Sequence, residues 1–375
     1  MLDLRAFSGQ TTQIANSLST WALLPHLRER GAPLALRSAR HHDDLPHSGV
    51  RKVRDNEGTC DMRILVVGAG AIGGYFGGRL LQAGRDVVFL VRPRRAASLA
   101  KRGLSIQSRF GDFHAPAPPL VSEEGLAEPF DLILLSCKAY DLEGAMTSFA
   151  RAVGPRTAIL PLLNGMRHLD VLADRFGPER VLGGQCVISA TLDANGGIVH
   201  LNDIHALTFG ELDGARSQRI EAIDSVLSGA RFDARLSENI RQDMWEKWLF
   251  IATGAGVTCL MRAAIGDIVA AGAADLVTRL LEECAAIATA QGYPPRQPSL
   301  ERARAAFTAP GSLLTASMLR DIEAHSPTEG DHILGDLLRR AAEVDDRSLL
   351  RIADAHLKAY EARRAREILI QEKAT

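Results

Sequence analysis

Gly68, Gly70 and Gly73 stand at G-x-G-x-x-G spacing within RILVVGAGAIGGYFGGRLLQAGRDVVFLVR, residues 63–92. Glycines so spaced can cradle a diphosphate. The first permits a tight turn, the second lets the backbone approach the phosphates, and the third lets a helix pack closely on the preceding strand. The anion would then rest on the free N–H groups at the helix N-terminus. Gly68, Ala69, Gly70, Ala71, Ile72 and Gly73 are therefore candidate nucleotide contacts. A second chemical feature lies far downstream, where Lys247 sits between Trp245 and Trp248 and no charged residue follows until Arg262. Burial beside so apolar a segment disfavours the ammonium form and lowers the pKa from about 10.4 towards that of a useful general acid. Such an ammonium could stabilise charge on a carbonyl oxygen as hydride reaches its carbon, then supply the proton. The competing reading is a lysine whose stem is buried and whose head snorkels to water.

These residues need elements to position them. An apolar run at 64–67 leads into the glycines, and another at 87–91 follows them, which predicts strand, phosphate-binding turn, helix and strand. The second strand ends in Val91-Arg92-Pro93-Arg94-Arg95, with no acid between Asp86 and Asp112. An NAD-selective site places Asp or Glu there for the ribose 2′-OH, whereas a 2′-phosphate needs positive charge. Asp86 begins the strand and is too far away. The expected cofactor is NADPH, with Arg92 on the phosphate and Arg94 or Arg95 in support, although arginines after a strand are also commonplace surface residues.

Further strands are predicted at 130–136 and 157–163. They end at Ser136-Cys137-Lys138 and at Asn164-Gly165, where an open parallel sheet presents its ligands. Short strands follow at 183–191, 197–201 and 207–210. Beyond about Asn239 helical periodicity takes over, with segments starting near Gln242, Ala273, Ser299, Ser312 and Thr328. The fold class is thus α/β: an N-terminal Rossmann-type doubly wound sheet at 62–238, followed by an all-α C-terminal domain at 239–375.

Bulk properties agree. A chain of 375 residues exceeds the size at which single cores stop growing. With 44 basic against 45 acidic residues, nothing points to nucleic acid or membrane as a partner. The longest apolar segment, 248–261, is interrupted by Gly254 and Gly256 and falls short of the roughly 18 residues of a spanning helix, so it reads as a buried core helix. Five scattered cysteines without C-x-x-C spacing imply a reducing, cytoplasmic setting and no zinc site. The eleven histidines form no H-E-x-x-H motif, so no metal is expected. Residues 1–61 are rich in arginine and broken by prolines. They lack the continuous apolar centre of a signal peptide; the arginines would suit an organellar leader, but Asp3, Glu29, Asp43 and Asp44 argue against one, and the preferred reading is a disordered extension or an early start codon.

GAGAIG at 68–73, SCKAYD at 136–141, LNGM at 163–166, WEKW at 245–248 and SMLRDIEAHSPTEGD at 317–331 together resemble, in order, the ketopantoate reductase (2-dehydropantoate 2-reductase) family. The resemblance covers nearly all of 62–367. It implies NADPH-dependent reduction of a 2-oxo acid to a 2-hydroxy acid, by default ketopantoate to pantoate in pantothenate biosynthesis, in a cleft between the two domains. A homodimer is compatible with it. By motif position, Lys247 would be the proton donor and Glu329 its acidic partner. Asn164 would organise the nicotinamide and the lysine, Lys138 would lie beside cofactor and substrate, and Ser317 would touch the substrate.

Local readings compete with two of these roles. Ser326-Pro327-Thr328-Glu329 fits a helix start with Glu329 closing a capping box, and Ser317 could be an ordinary helix-face serine; Arg320, one turn on, could bind a substrate carboxylate, although an exposed helix residue is the preferred reading. The family usually carries asparagines four and eight residues after the lysine, on the lysine's side of its helix, and one ten residues beyond. This chain has Ile251, Ala255 and Ile265. Fewer amides would leave a hydroxylated substrate short of partners, at about 1 to 3 kcal/mol per unpaired group. One alternative is therefore a related reductase acting on a more apolar 2-oxo acid. Another is a non-catalytic NADPH-binding regulator, against which the retained Lys247, Glu329, Asn164 and Lys138 argue.

Overall fold

The computed structural model describes residues 62–343 and 347–374. The expectation for 1–61 lies outside them. Strand β1 (Arg63–Val67) is followed by helix α1 (Ala71–Gln82), β2 (Asp86–Leu90), α2 (Pro93–Arg102), the short strands β3 (Leu104–Gln107), β4 (Phe113–Ala115) and β5 (Leu120–Val121), then β6 (Leu132–Leu135), α3 (Leu142–Phe149), β7 (Ala158–Pro161) and α4 (Arg167–Phe176). A five-stranded parallel sheet runs β5-β2-β1-β6-β7. Its strands are buried on both faces, which is why they read as unbroken apolar runs. Alternation along β1 and β6 divides the interior: Leu65, Val67, Ile133 and Leu135 join the core shared with the helical part, while Ile64, Val66, Leu132 and Leu134 join a second core.

That second core is closed by a sheet the sequence revealed only in fragments. Strands β8 (Gly183–Leu192) and β9 (Ile198–Gly210), helix α5 (Gln218–Leu227) and β10 (Asp233–Leu236) complete it, in the order β10-β9-β3-β4 with β8 also pairing β9. The strands expected at 197–201 and 207–210 are one 13-residue strand. The polar residues between them find partners within the fold instead of turning: Asn202 Oδ1 accepts from the Ser189 N–H at 2.9 Å and lies 3.0 Å from His200 Nε2, and His205 bonds the Tyr75 hydroxyl. Strands β3, β4 and β10, with β5 of the parallel sheet, were not anticipated.

Helix α6 (Ile240–Met261) begins the mostly helical C-terminal region and passes straight through Gly254 and Gly256. Gly256 serves close packing, since a Cβ there would lie 2.7 Å from a Leu280 methyl. The remaining elements are α7 (Ile265–Ala270), α8 (Ala274–Ala290), α9 (Gln297–Phe307), α10 (Ser317–Glu323), a π turn (Asp331–Gly335), α11 (Asp336–Arg339) and α12 (Leu349–Ala374). Among the described residues no helix is long and apolar enough to cross a membrane.

Candidate active site

The glycine turn has the geometry its spacing requires. Gly68 takes φ +93°, a left-handed value that a side chain would strain. Gly73 fits only without a Cβ, which would collide with the Ser136 hydroxyl and the Gly68 carbonyl. Gly70 is different: a Cβ there would meet no protein atom within 4 Å, so its hydrogen faces open space. No side chain caps α1, and the first intrahelical bond runs from Gly74 N–H to Gly70 O at 2.9 Å, leaving the N–H groups of Ala71, Ile72 and Gly73 ahead of it. An open cradle ending in uncapped N–H groups fits a dinucleotide diphosphate.

The arginines after β2 differ from one another. Arg92 is exposed, and its guanidinium lies 2.8 Å from Asp141, so its charge at the strand end is partly answered by an acid. Arg94 is exposed as well. Arg95 turns inward and donates to Ala69 O and Gly196 O, both at 2.8 Å, which ties the glycine turn to the hairpin between β8 and β9. Two of its nitrogens are thus engaged by carbonyls of the fold, while its Nη2 is buried without a protein partner.

Lys247 is 8% exposed, so its head does not reach solvent, and the snorkelling alternative fails. Its Nζ donates to Asn164 Oδ1 at 3.0 Å, joining the middle of α6 to the carboxyl end of β7. Burial pulls its pKa below the ordinary lysine value, against weaker opposition from Cys186 and Glu329. Asn164 can point this way because Gly165, at φ +81°, takes the left-handed turn that follows it.

Glu329 is 6% exposed. Its carboxylate accepts from Lys138 Nζ at 3.1 Å and from the Ala139 N–H at 3.0 Å. The capping box is thus overturned: the carboxylate leaves its own chain segment for the end of β6, where a cation and a free N–H compete successfully for it. Its direct partner is Lys138, while Lys247 feels it only through space. Burial pulls the Lys138 ammonium down, but Glu329 and Asp321 outweigh it and hold the pKa above the ordinary value. Asp321, 3.5 Å from Lys138, was not anticipated. Ser317 precedes it by four residues on α10, hence on the same side of the helix, and like Arg320 it is exposed.

Two histidines were also missed. His168 and His332 are buried, with Nδ1 of the first 3.4 Å from Nε2 of the second. Their signal was weak, because each follows a motif residue by only a few positions and neither belongs to a histidine cluster in sequence. The positions of the absent family asparagines lie inside the protein: Ala255 and Ile265 are fully buried and Ile251 is half-buried.

Comparison with known proteins bears on this arrangement. The family model described as Ketopantoate reductase PanE/ApbA matches residues 64–214, and that of the Ketopantoate reductase PanE/ApbA C terminal matches 239–345. The uncharacterized oxidoreductase YkpB of Bacillus subtilis is 38% identical over 303 residues, covering 80% of this chain and 99% of that protein. A 2-dehydropantoate 2-reductase of Mesorhizobium japonicum is 26% identical over 306 residues, covering 76% and 93%. Among solved structures, 2-dehydropantoate 2-reductase from Geobacter metallireducens GS-15 matches with a TM-score of 0.72 at 28% identity, covering 80% of this chain and 99% of that one.

Proposed function

This chain belongs to the ketopantoate reductase family, and from that premise we propose that it is an NADPH-dependent reductase of a 2-oxo acid, with ketopantoate to pantoate, a step of pantothenate biosynthesis, as the default reaction. The observation that carries the reading is the buried Lys247 ammonium held 3.0 Å from Asn164 Oδ1 at a ligand-facing strand end.

The turn at 68–73 holds the dinucleotide, Gly70 admitting the diphosphate and the N–H groups of α1 answering its charge. Arg92, with Arg94 beside it, provides the positive end of β2 for a 2′-phosphate. When bound, the reduced dinucleotide supplies hydride. Lys247 stabilises the negative charge that forms on the carbonyl oxygen as the C=O π electrons move there, and gives that oxygen its proton. Asn164 aims the ammonium. Lys138 and Glu329 line the cleft as an ion pair, Lys138 toward cofactor and substrate and Glu329 as the acid that keeps both lysines charged. Ser317 contributes a hydroxyl from α10 to the substrate.

A second reading, a more apolar 2-oxo acid as preferred substrate, is favoured by the full burial of Ala255 and Ile265, neither of which can offer an amide to a substrate hydroxyl. A single experiment decides among the readings: purified protein is given a panel of 2-oxo acids with NADPH or NADH, and the 2-hydroxy acid is quantified. Highest kcat/KM on ketopantoate supports the default, and highest on an alkyl or aryl 2-oxo acid supports the second. Better turnover with NADH would overturn the cofactor assignment. Tight NADPH binding without oxidation across the panel would favour the regulator.

A further inference from the structure

The π turn at Asp331–Gly335 touches three parts of the site at once. Just before it, Glu329 reaches Lys138 at the end of β6. Within it, the carbonyl of Ile333 accepts from Trp248 Nε1 at 3.0 Å, and Trp248 is the neighbour of Lys247. Between these contacts His332 turns towards the end of β7. Its ring lies directly against the backbone that follows Asn164, so close that a Cβ built on Gly165 would lie 3.2 Å from its Cδ2 and 3.3 Å from its Nε2. His168, at the start of α4, completes the contact, its Nδ1 3.4 Å from that nitrogen and its ring stacked at 5.6 Å between centroids. Single π turns gather at functional sites because the extra residue re-aims side chains.

We propose that His332, backed by His168, is a positioning residue: it fixes the backbone of Asn164 and thereby the amide oxygen that holds the Lys247 ammonium. Neither imidazole touches that ammonium. This inference rests on the reductase reading above for its consequence in turnover, though not for its geometry.

The choice of histidine has a physical reason. A lysine or arginine donor behind Asn164 would place a second positive charge near Lys247 in a water-poor interior, and a carboxylate could not donate. Two neutral imidazoles can bond each other and pack on the backbone at Asn164-Gly165 without adding charge. Burial keeps both uncharged: it depresses His168, with His332, Lys247 and Arg340 adding to the effect, and it depresses His332 against the opposing pull of Glu329 and Asp336. Arg167 also faces His332 and acts in the same direction as burial. Lys247 itself faces Cys186 and Glu329.

The test compares His332→Phe, which fills the space without a donor, with His332→Gln, whose amide nitrogen can replace Nε2. Two readouts are taken, kcat with its pH profile, and the titration of Lys247 followed by NMR of its side chain in the protein without substrate. Losing a well-placed acceptor from the ammonium disfavours the charged form, so in His332→Phe the Lys247 titration and the alkaline limb of kcat both move to lower pH. We expect kcat to drop at least tenfold there, with KM and nucleotide Kd within about threefold, and His332→Gln to recover most of the loss. His168→Leu against His168→Asn repeats the comparison at the partner ring if the first variant does not fold. An unmoved Lys247 titration in a folded His332→Phe, or equal impairment of His332→Gln, overturns the proposal. If the wild-type protein reduces no acid, the reductase reading falls, and the NMR titration alone still decides the role of His332.

Discussion

Lys138 Nζ lies 3.1 Å from Glu329 Oε2 although 191 residues separate them, and the other oxygen of the same carboxylate accepts from the Ala139 N–H. One side chain of the helical region thus holds both the cation and the backbone at the end of β6.

Replacing Glu329 by Gln should separate chemistry from architecture. The amide keeps an acceptor for Ala139 and loses the ion pair. Because Lys138 is 43% exposed, the pair is partly screened and its loss should cost only about 1 kcal/mol of stability. Turnover should fall about 100-fold if the acid serves the reaction. Denaturant unfolding and kcat measured on the same preparation decide it, and unchanged turnover would reduce Glu329 to a structural clasp.

Lys247→Met should have opposite effects on activity and stability. If Lys247 is the proton donor, as proposed, kcat drops about 1,000-fold while nucleotide affinity is retained. Lys247 has its pKa lowered by burial, so between its native pKa and the ordinary value of about 10.4 the unfolded chain binds more protons than the native one. Stability of the wild type therefore rises with pH across that window and is penalised below it. Methionine removes the penalty, so the variant should match or exceed the wild type at neutral pH, by about 1 kcal/mol, with the gap closing at high pH. A variant clearly less stable than wild type at pH 7 would contradict a buried, underpaired ammonium.

Gly70→Ala and Gly73→Ala should fail for different reasons. At Gly70 the backbone has φ −78° and the added methyl meets no protein atom, so the melting temperature should hold or rise slightly. Only the ligand would meet it, and nucleotide Kd should rise at least tenfold. At Gly73 the methyl drives into Ser136 and the Gly68 carbonyl, so stability itself should fall by about 1 to 3 kcal/mol. Calorimetric melting and nucleotide titration distinguish the two. Equal loss of melting temperature would show that Gly70 has no ligand-facing role.

The parts of the site readable from sequence are those fixed by local chemistry. Gly68, Gly70 and Gly73 follow a strand and open a helix, so spacing alone defines their turn. Lys247 stands out in sequence because the residues around it are apolar, but that pattern fits a snorkelling lysine as well, and only the family resemblance points to a proton donor. Glu329 shows the opposite case. The Ser326-to-Glu329 spacing satisfies a local helix-start rule, but the cation that captures its carboxylate comes from another strand. His332 and Asp321 meet partners on distant elements, so their position within or beside a motif gave only a weak signal. The interruption expected within β9 has a related reason: Asn202 and His205 look like loop residues until Ser189 and Tyr75, from elsewhere in the chain, satisfy them.

Arg95 joins Ala69 of the glycine turn to Gly196 at the tip of the β8–β9 hairpin. The hairpin lies on the other sheet and belongs to none of the motifs, so it looks free to drift in sequence. It is not free. A lineage that lengthens or reshapes the tip withdraws the acceptor for Arg95 and loosens the glycine turn proposed to hold the cofactor, so changes at 193–197 and at Arg95 should be inherited together across related genes.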